Sequence, residues 1–421
     1  MLGHASSTTI AASPKSPSML YNFRHAAFLS SLVILGASSF QATGAPNELA
    51  YGKLSGYPAG PAMHHDYGAS LRVGGFSGKR LEKIGGVKTT VRSAEKIQII
   101  PRELRSEWPI EFDPNELLKN NPIMSLTLIK NGAVVYEKFQ YDTGSSSTFN
   151  SESMAKTLTA LVIGVLLDEG KIKSLSDRLD SYVPEFKDGW FGSNTIRDLL
   201  QMQCGLSGAS AGATGGFYAN IKYGPTAAAG PNARNLYEYM QTLPMTSQPG
   251  TAWAYDPVCS DALSMVITKV TGQLLATVFE EKIWKNIGSE HNAYWAKATN
   301  TEITSGANQF WAKSGDWAKI ALLLVNRGEF KGVQIVPQAY VDSLISDYVR
   351  RPNTRFGAYG YQTWKQTNEP GASAAGFLGQ RIWFDPESKS AMIVFAVDEN
   401  EKDSQPFWRW FRTQNFSQQS K

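Results

Sequence analysis

The sequence predicts an α+β fold: one antiparallel sheet flanked by helices, together with a second, mainly helical region. Two hairpin signals predict the sheet, Asn131-Gly132 near its first strands and Pro386-Glu387-Ser388 near its last. Between them, apolar residues recur at helical spacing. We therefore expect sheet strands from 123–141 and 356–398, and helices over about 153–345.

Residues 19–45 resemble a secretion signal, and residues 1–18 resemble an upstream extension rather than its basic N-terminal part. Arg24 and His25 precede the apolar run Ala26–Phe40, and Ala42-Thr43-Gly44 offers small residues for cleavage. The run is short and interrupted by serines, which disfavours a membrane span. We expect residues 1–44 to be a leader and the protein to be periplasmic or secreted, without stable membrane insertion. A retained N-terminal anchor is the alternative.

Residues 45–110 are rich in Gly, Pro and polar side chains, so we expect an irregular arm, followed by the main domain over 111–421. Asp113 before Pro114 predicts a helix start, because aspartate caps helices and proline fits their first position. The predicted strands are Ser125–Ile129, Ala133–Tyr141, Gln380–Phe384 and Ala391–Val397, and Phe407–Phe411 is predicted to lie as a helix on their sheet.

Within the middle region, a long helix is expected after residue 153 and before Gly170, a glycine suited to a helix C-terminus. Further packing helices are predicted at Asp261–Gly272, Trp317–Leu324 and Val336–Ile345. The apolar residues at helical spacing in the first helix are Met154, Leu158, Leu161, Val162, Val165 and Leu166.

Ser153 and Lys156 stand at the start of that long helix. Residues at i and i+3 share one helix face, so the hydroxyl and the amine can form a hydrogen bond. The first helical turn favours developing negative charge, and a desolvated lysine can accept the serine proton. This pattern predicts a serine nucleophile that needs no histidine.

The Ser-x-x-Lys spacing alone is weakly specific. Ser93 and Lys96 have the same spacing in a polar stretch, and we assign them no chemistry. An ordinary alternative for Ser153 is a helix N-cap with Lys156 in solvent.

Five segments follow one another in a recognisable order. They are Ile123–Tyr141, Ser153–Lys156, Ile196–Leu206, Trp253–Tyr255 with the helix ending at Gly272, and Gly376–Pro386. Together they resemble the serine β-lactamase superfamily, in the branch of class C β-lactamases, DD-peptidases, esterases and 6-aminohexanoate-dimer (nylon oligomer) hydrolases, and the run Gly376–Gln380 is most similar to the nylon oligomer hydrolases. The resemblance covers roughly residues 113 to 411 and implies a β-lactamase/transpeptidase-like serine hydrolase with its active site between the two regions.

The resemblance implies that Tyr255 moves protons between the serine and the leaving group, although a half-buried structural aromatic is the alternative. Pro257 stands where the family has an asparagine. It also implies an oxyanion hole formed by the backbone N–H groups of Ser153 and Phe377, with Gly376 letting its strand approach closely. A small-residue edge strand is the other interpretation of Gly376.

The family's Lys- or His-Thr-Gly is replaced by Ala374-Ala375-Gly376 here, which argues against penicillin-like substrates. Trp253, Phe217, Tyr218 and Gly376 are the expected substrate contacts. We interpret Trp311 and Trp364 as core residues.

Gly208–Gly212 matches the nucleophile elbow of α/β-hydrolases and would make Ser210 the nucleophile. No strand precedes it and no helix follows, so a Gly/Ala/Ser-rich loop near the cleft is favoured.

Only two cysteines occur, Cys204 and Cys259, so a single bridge is the most that can form, and its existence stays open. After the leader the histidines are His64, His65 and His291, without metal-ligand spacing. We expect no metal and no cofactor. The formal net charge of +4 gives no reason to expect nucleic-acid binding. A homodimer is possible.

Together these observations predict a secreted serine hydrolase that cleaves an amide or ester through an acyl-enzyme on Ser153, with Lys156 and Tyr255 as catalytic partners. A DD-peptidase or β-lactamase acting on penicillin-like substrates is one alternative. A non-catalytic binding or sensor module is another.

Overall fold

The computed structural model describes residues 80–84, 112–141, 143–208, 235–298, 301–351, 356–366, 368–398 and 404–414.

The strands form two main sheets. The strands are β1 (Arg80–Ile84), β2 (Ile123–Lys130), β3 (Ala133–Phe139), β4 (Thr148–Asn150), β5 (Ala293–Lys297), β6 (Phe310–Lys313), β7 (Glu329–Phe330), β8 (Val333–Gln334), β9 (Val349–Arg350), β10 (Ala358–Tyr359), β11 (Trp364–Lys365), β12 (Ala372–Gly376), β13 (Gln380–Asp385) and β14 (Ser390–Ala396).

The larger sheet has the order β3-β2-β14-β13-β12-β11-β10-β9, and its strand pairs are antiparallel. Both predicted hairpins are confirmed, since Lys130 pairs with Ala133 and Asp385 with Ser390. Strands β2 and β14 pair directly, with Leu128 opposite Met392. The two ends of the domain therefore meet in one sheet, as the sequence predicts.

A second sheet has the order β1-β5-β6-β4 and was not expected. It includes Arg80–Ile84, which lies in the segment expected to be irregular but pairs with Ala293–Lys297. Strands β5 and β6 interrupt the region expected to be mainly helical. Strand β4 ends at Asn150, three residues before Ser153, so this second sheet supports the backbone that leads to Ser153.

Helices cover both faces of the larger sheet and fill the space between the sheets. They are α1 (Pro114–Asn120), α2 (Ala155–Asp168), α3 (Ile196–Leu200), α4 (Leu236–Gln241), α5 (Pro257–Thr271), α6 (Leu275–Phe279), α7 (Ser314–Val325), α8 (Gln338–Ser346) and α9 (Gln405–Thr413). A π-helical turn, Glu280–Trp284, extends α6, and short 3₁₀ turns span Glu152–Met154, Leu179–Ser181, Pro184–Phe186, Trp190–Ser193 and Phe377–Gly379.

Side chains on β14 alternate between two apolar clusters, as a strand packed on both faces requires. Phe395 contacts Trp317 of α7 with ring centroids 5.6 Å apart, inside the main core. Val394 belongs to the other cluster, where Trp383 stacks on Trp408 of α9 at 6.3 Å. The sheet is thus sandwiched between helices, and the predicted C-terminal helix is confirmed.

Helix α2 is the central element of the helical region, with every residue from Ala155 to Leu166 buried. It packs against α5 and α6. Helix α5 begins earlier than expected, at Pro257 rather than Asp261, because Asp256 caps it and accepts a hydrogen bond of 3.0 Å from the Val258 amide. The segment that carries Tyr255 therefore leads directly into a capped helix.

Cys204 and Cys259 form a disulfide with their Cα atoms 6.2 Å apart. The bridge joins the segment after α3 to the first turn of α5, four residues beyond Tyr255. The pairing that the sequence left open is present.

Among the described residues no single helix has the length and apolar character to cross a membrane. Taken jointly, the bent pair Pro257–Thr271 and Leu275–Trp284, at 74°, meets those two criteria.

Candidate active site

Ser153 lies in the 3₁₀ turn that joins β4 to α2, and its side chain is half-buried. The preceding residue, Glu152, has a φ of +43°, a left-handed conformation that costs a non-glycine residue free energy. Asn150 holds this turn, since its amide donates to Glu152 Oε1 at 2.8 Å and its Oδ1 accepts from the Glu152 amide at 3.0 Å. The strained turn is therefore fixed by its neighbours.

Strand β6 anchors the same turn from the other side. The Ser151 amide donates to the Phe310 carbonyl at 2.8 Å, and the Phe310 amide donates to Ser151 Oγ at 2.9 Å. The Gln309 amide donates to the Glu152 carbonyl at 3.2 Å. Hydrogen bonds made by the neighbouring residues thus position Ser153 without using its hydroxyl.

Lys156 is 2% exposed and lies one helical turn after Ser153. Its Nζ is 3.1 Å from Ser153 Oγ and donates to the Ala307 carbonyl at 2.7 Å. The ordinary alternative, a solvated lysine, is therefore wrong. With one hydrogen bond to the Ala307 carbonyl, the amine is held in a fixed direction toward the hydroxyl.

The segment that carries the Ala307 carbonyl is itself clamped between α2 and α5. The Gly306 amide donates to Asp261 Oδ1 at 2.9 Å, and the Thr159 hydroxyl donates to the Gly306 carbonyl at 2.9 Å. A Cβ atom at Gly306 would lie 2.1 Å from the Ser260 carbonyl oxygen, so only glycine fits. This close packing fixes the acceptor that orients Lys156.

Tyr255 lies against Lys156, whose Nζ is 4.9 Å from the centre of the tyrosine ring. On its other sides the ring contacts Trp364 at 5.1 Å, Tyr359 at 6.0 Å and Trp253 at 6.3 Å, measured between ring centroids. The structure therefore brings Ser153, Lys156 and Tyr255 together, with aromatic side chains forming a wall beside them.

Strand β12 comes so close to the Ser153 turn that it excludes a side chain at Gly376. A Cβ atom there would lie 2.3 Å from the Ser151 carbonyl oxygen. The next residue, Phe377, opens a 3₁₀ turn and is 40% exposed. The backbone at Phe377 is thereby placed beside the turn that bears Ser153.

Sequence reasoning did not single out Arg351, Tyr359, Ala307 or Gln362, and it interpreted Trp364 as core. Trp364 is partly buried and packs against the main core, and it also stands beside Tyr255; Trp311 is buried as expected. Burial raises the pKa of Tyr359 well above its usual value. The nearby Tyr255 hydroxyl also raises this pKa, whereas Arg351 lowers it. No local signal marks these residues, because they reach the site only through the fold.

Phe217 and Tyr218, expected to contact substrate, lie outside the described residues, as does Ser210, the alternative nucleophile. Within the ranges that the structure covers, no group of three or more His, Cys, Asp and Glu side chains could hold a metal ion. His291 pairs with the buried Asp316, its Nδ1 2.9 Å from the carboxylate.

Comparisons with known proteins agree with this architecture. The sequence model of the Beta-lactamase family matches residues 116–413, more than half of the chain. The 6-aminohexanoate-dimer hydrolase of Paenarthrobacter ureafaciens is 25% identical over 267 residues, which cover 58% of this chain and 64% of that protein. The chain thus spans less than two thirds of this curated relative.

Solved structures show the same fold. One is a protein from Bacillus anthracis provisionally named a 6-aminohexanoate-dimer hydrolase, with a TM-score of 0.65 at 24% identity, covering 79% of this chain and 89% of that one. Another is the octameric penicillin-binding protein homologue from Pyrococcus abyssi, with a TM-score of 0.51 at 18% identity, covering 73% and 76%. The expected β-lactamase/transpeptidase-like fold is confirmed.

Proposed function

The chain belongs to the Beta-lactamase family and is a serine hydrolase of that fold, and from this premise we propose that it cleaves linear amides or esters through an acyl-enzyme on Ser153. The observation that carries the proposal is the Ser153–Lys156 contact of 3.1 Å with the Tyr255 ring against the same amine. The relative from Paenarthrobacter ureafaciens makes linear aliphatic amides the first substrates to test.

In the proposed acylation, Lys156 accepts the Ser153 proton as Oγ attacks the substrate carbonyl carbon. The backbone N–H groups of Ser153 and Phe377 bind the resulting oxyanion. When the intermediate collapses, the bond to the leaving nitrogen or oxygen breaks. The Tyr255 hydroxyl gives its proton to that leaving atom and regains one from Lys156. Serine is then acylated, and the lysine amine is neutral again.

Deacylation reverses the proton path. As a water molecule attacks the acyl carbonyl, its proton passes to the Tyr255 oxygen while the Tyr255 proton passes to Lys156. The bond to Ser153 Oγ then breaks, and the serine regains its hydrogen from the lysine. The acid leaves, and the enzyme returns to its starting protonation state. The residues need no external co-reactant other than water.

Two positions argue for linear substrates rather than penicillins. Pro257 is the first residue of α5, so it presents no amide side chain, and Ala374 is buried in the main core. The resemblance to the family leads one to expect an asparagine at position 257 and a lysine or histidine at position 374, and both polar side chains are replaced. Linear carbonyl compounds therefore suit this site better than β-lactams.

The test is hydrolysis of p-nitrophenyl butyrate, a short linear amide and nitrocefin by the wild type and by Ser153→Ala. Ser176→Ala, at an exposed serine, is the matched control. We expect Ser153→Ala to abolish hydrolysis of the ester and the amide. When the wild type is treated with a fluorophosphonate, mass spectrometry should find the adduct on Ser153. Full activity in Ser153→Ala would refute the nucleophile. Efficient turnover of nitrocefin would favour the β-lactamase alternative. A wild-type protein that hydrolyses none of the three substrates and forms no fluorophosphonate adduct would favour a binding module.

We also propose export to the periplasm or the medium. The Cys204–Cys259 disulfide supports this, because disulfides persist mainly in oxidising compartments. Cell fractionation of the full chain tests it: intact protein confined to the cytoplasm with both thiols free would contradict export.

A further inference from the structure

Residues 306–310, here called the brace segment, end at the start of β6 and contact both the proposed base and the turn that bears the nucleophile. The Ala307 carbonyl accepts the hydrogen bond of Lys156 at 2.7 Å. Two residues later, the Gln309 amide donates to the Glu152 carbonyl at 3.2 Å, directly before the nucleophile. One short piece of backbone thus sets the positions of the amine and of the hydroxyl relative to each other.

The hydroxyl of Thr159 ties the brace segment to α2, the helix that carries the base. Its oxygen lies 2.9 Å from the Gly306 carbonyl oxygen and 3.3 Å from the Ala155 carbonyl oxygen one turn earlier. A threonine inside a helix usually bonds the earlier carbonyl of its own helix, whereas the shorter contact here leaves the helix. Thr159 is fully buried, where a hydroxyl is costly unless it is hydrogen-bonded. The contact with Gly306 therefore accounts for a polar group at this position.

Two side chains on one face of α2 hold two successive carbonyl groups of the brace segment. Lys156 and Thr159 are three residues apart, so they lie on the same face of the helix. Lys156 binds the carbonyl of Ala307, and Thr159 binds that of Gly306. Two contacts fix the direction of this backbone, where a single contact would allow it to rotate. Without the Thr159 contact, the Ala307 carbonyl can turn and draw the lysine amine away from the nucleophile.

We infer that Thr159 is a positioning residue for the proposed reaction. Its hydroxyl holds the brace segment so that the Lys156 amine and the Ser153 hydroxyl stay within hydrogen-bond reach. Thr159 acts through the backbone of Gly306 and Ala307 rather than on the substrate. The inference rests on the proposed function, because it takes Lys156 as the base. It predicts that exchanging one buried hydroxyl for a methyl group slows the chemical step.

The experiment measures hydrolysis of p-nitrophenyl butyrate by Thr159→Val, Thr159→Ser and Thr159→Ala. Valine has the shape of threonine without the hydroxyl, whereas serine keeps the hydroxyl and loses only a methyl group. Thr268→Val is the matched control, because the Thr268 hydroxyl donates within its own helix, to the Ser264 carbonyl at 3.0 Å. Circular dichroism and urea denaturation verify that each variant is folded.

We expect Thr159→Val to lower kcat by on the order of 10- to 100-fold with little change in KM, because a displacement of about 1 Å at the reacting groups can cost that much. Thr159→Ser should restore most of the lost rate, and Thr268→Val should behave like the wild type. A folded Thr159→Val with the kcat of the wild type, or a Thr159→Ser as slow as the valine variant, would overturn the inference. If Thr159→Val does not fold, Thr159→Ala decides by the same criteria, since alanine omits the hydroxyl, adds no bulk and favours the helix.

A double-mutant cycle separates positioning of the base from general support of the fold. If Thr159 acts through Lys156, Thr159→Val should lower kcat much less in Lys156→Met than in the wild type, because the base is already absent. An equal proportional loss in both backgrounds would mean that Thr159 only supports the fold, and it would overturn the inference. Failure of the proposed function has a different signature, namely hydrolysis that persists in Ser153→Ala whatever residue occupies position 159.

Discussion

The side-chain oxygen of Gln362 accepts a hydrogen bond of 2.7 Å from the Ser260 hydroxyl, deep in the protein. The Gln362 amide nitrogen donates to the carbonyls of Leu199 and Leu200, and its backbone carbonyl accepts from the Thr157 hydroxyl. One residue thus joins α2 next to Lys156, the end of α3, and α5 five residues after Tyr255. It sets the spacing between the elements that bring the lysine and the tyrosine together.

We therefore expect Gln362→Leu to lower the free energy of unfolding by about 2–4 kcal/mol, because buried partners lose their hydrogen bonds while the volume is kept. The value of kcat should fall more than KM changes, since the lysine and the tyrosine shift relative to each other. Urea denaturation and steady-state kinetics measure the two effects. Gln338→Leu, on the exposed surface, is the control. Equal free energies of unfolding and equal kcat values for the two variants would contradict this role of Gln362.

Lys156→Met tests the proposed base. Methionine nearly matches the shape of the lysine side chain but cannot accept the Ser153 proton, so kcat/KM should fall by about 10³-fold, within the range for loss of general-base catalysis. Ester hydrolysis gives the rate, and circular dichroism verifies the fold. Lys171→Met replaces an exposed lysine and should leave the rate unchanged. A Lys156→Met enzyme with wild-type turnover would place the base elsewhere.

Tyr255→Phe separates the hydroxyl from the ring. The phenylalanine ring can keep the contacts with Trp364 and Lys156, so the melting temperature should change little. Amide hydrolysis should slow by about 10²- to 10⁴-fold because the leaving amine needs a proton. p-Nitrophenyl esters should suffer less, since p-nitrophenolate leaves unprotonated. Equal losses on both substrates would argue that Tyr255 does not act as the acid.

The parts of this site that could be predicted are the local ones. Ser153 and Lys156 are three residues apart, so their contact follows from helix geometry before any tertiary structure is known. Tyr255 was predicted through its resemblance to the family rather than through spacing, because 99 residues separate it from Lys156. The hairpins at Asn131-Gly132 and after Asp385 were equally local, and so were confirmed.

The missed features depend on the fold or on the backbone. Ala307 contributes a carbonyl oxygen, which every residue has, so its identity gives no signal. Arg351 meets Trp253 and Trp364 only after β9 and β11 join the sheet edge. Strands β5 and β6 are short and largely buried, so they lack the polar alternation that marks an exposed strand.

Gly376→Ala tests the close approach of β12 to the Ser153 turn. The added methyl would lie 2.3 Å from the Ser151 carbonyl oxygen, so the strand or the turn must move. We expect a loss of stability of about 1–3 kcal/mol from overpacking and a larger proportional loss of kcat as Phe377 moves away from Ser153. Gly315→Ala is the matched control, because its methyl meets no atom within 4 Å. Similar kinetics for the two variants would refute the effect on catalysis.

The Cys204–Cys259 disulfide should stabilise the fold and hold the approach to Tyr255. Its cysteines are 55 residues apart, so reduction releases a long loop in the unfolded chain and should cost about 2–4 kcal/mol. We expect dithiothreitol to lower the urea midpoint of the wild type, and Cys204→Ala/Cys259→Ala to show that lower midpoint with or without reductant. The bridge holds the first turn of α5, which begins two residues after Tyr255. Reduction should therefore also lower kcat under conditions in which the enzyme is still folded. A reductant effect of the same size in the double variant would mean that the bridge is not its cause.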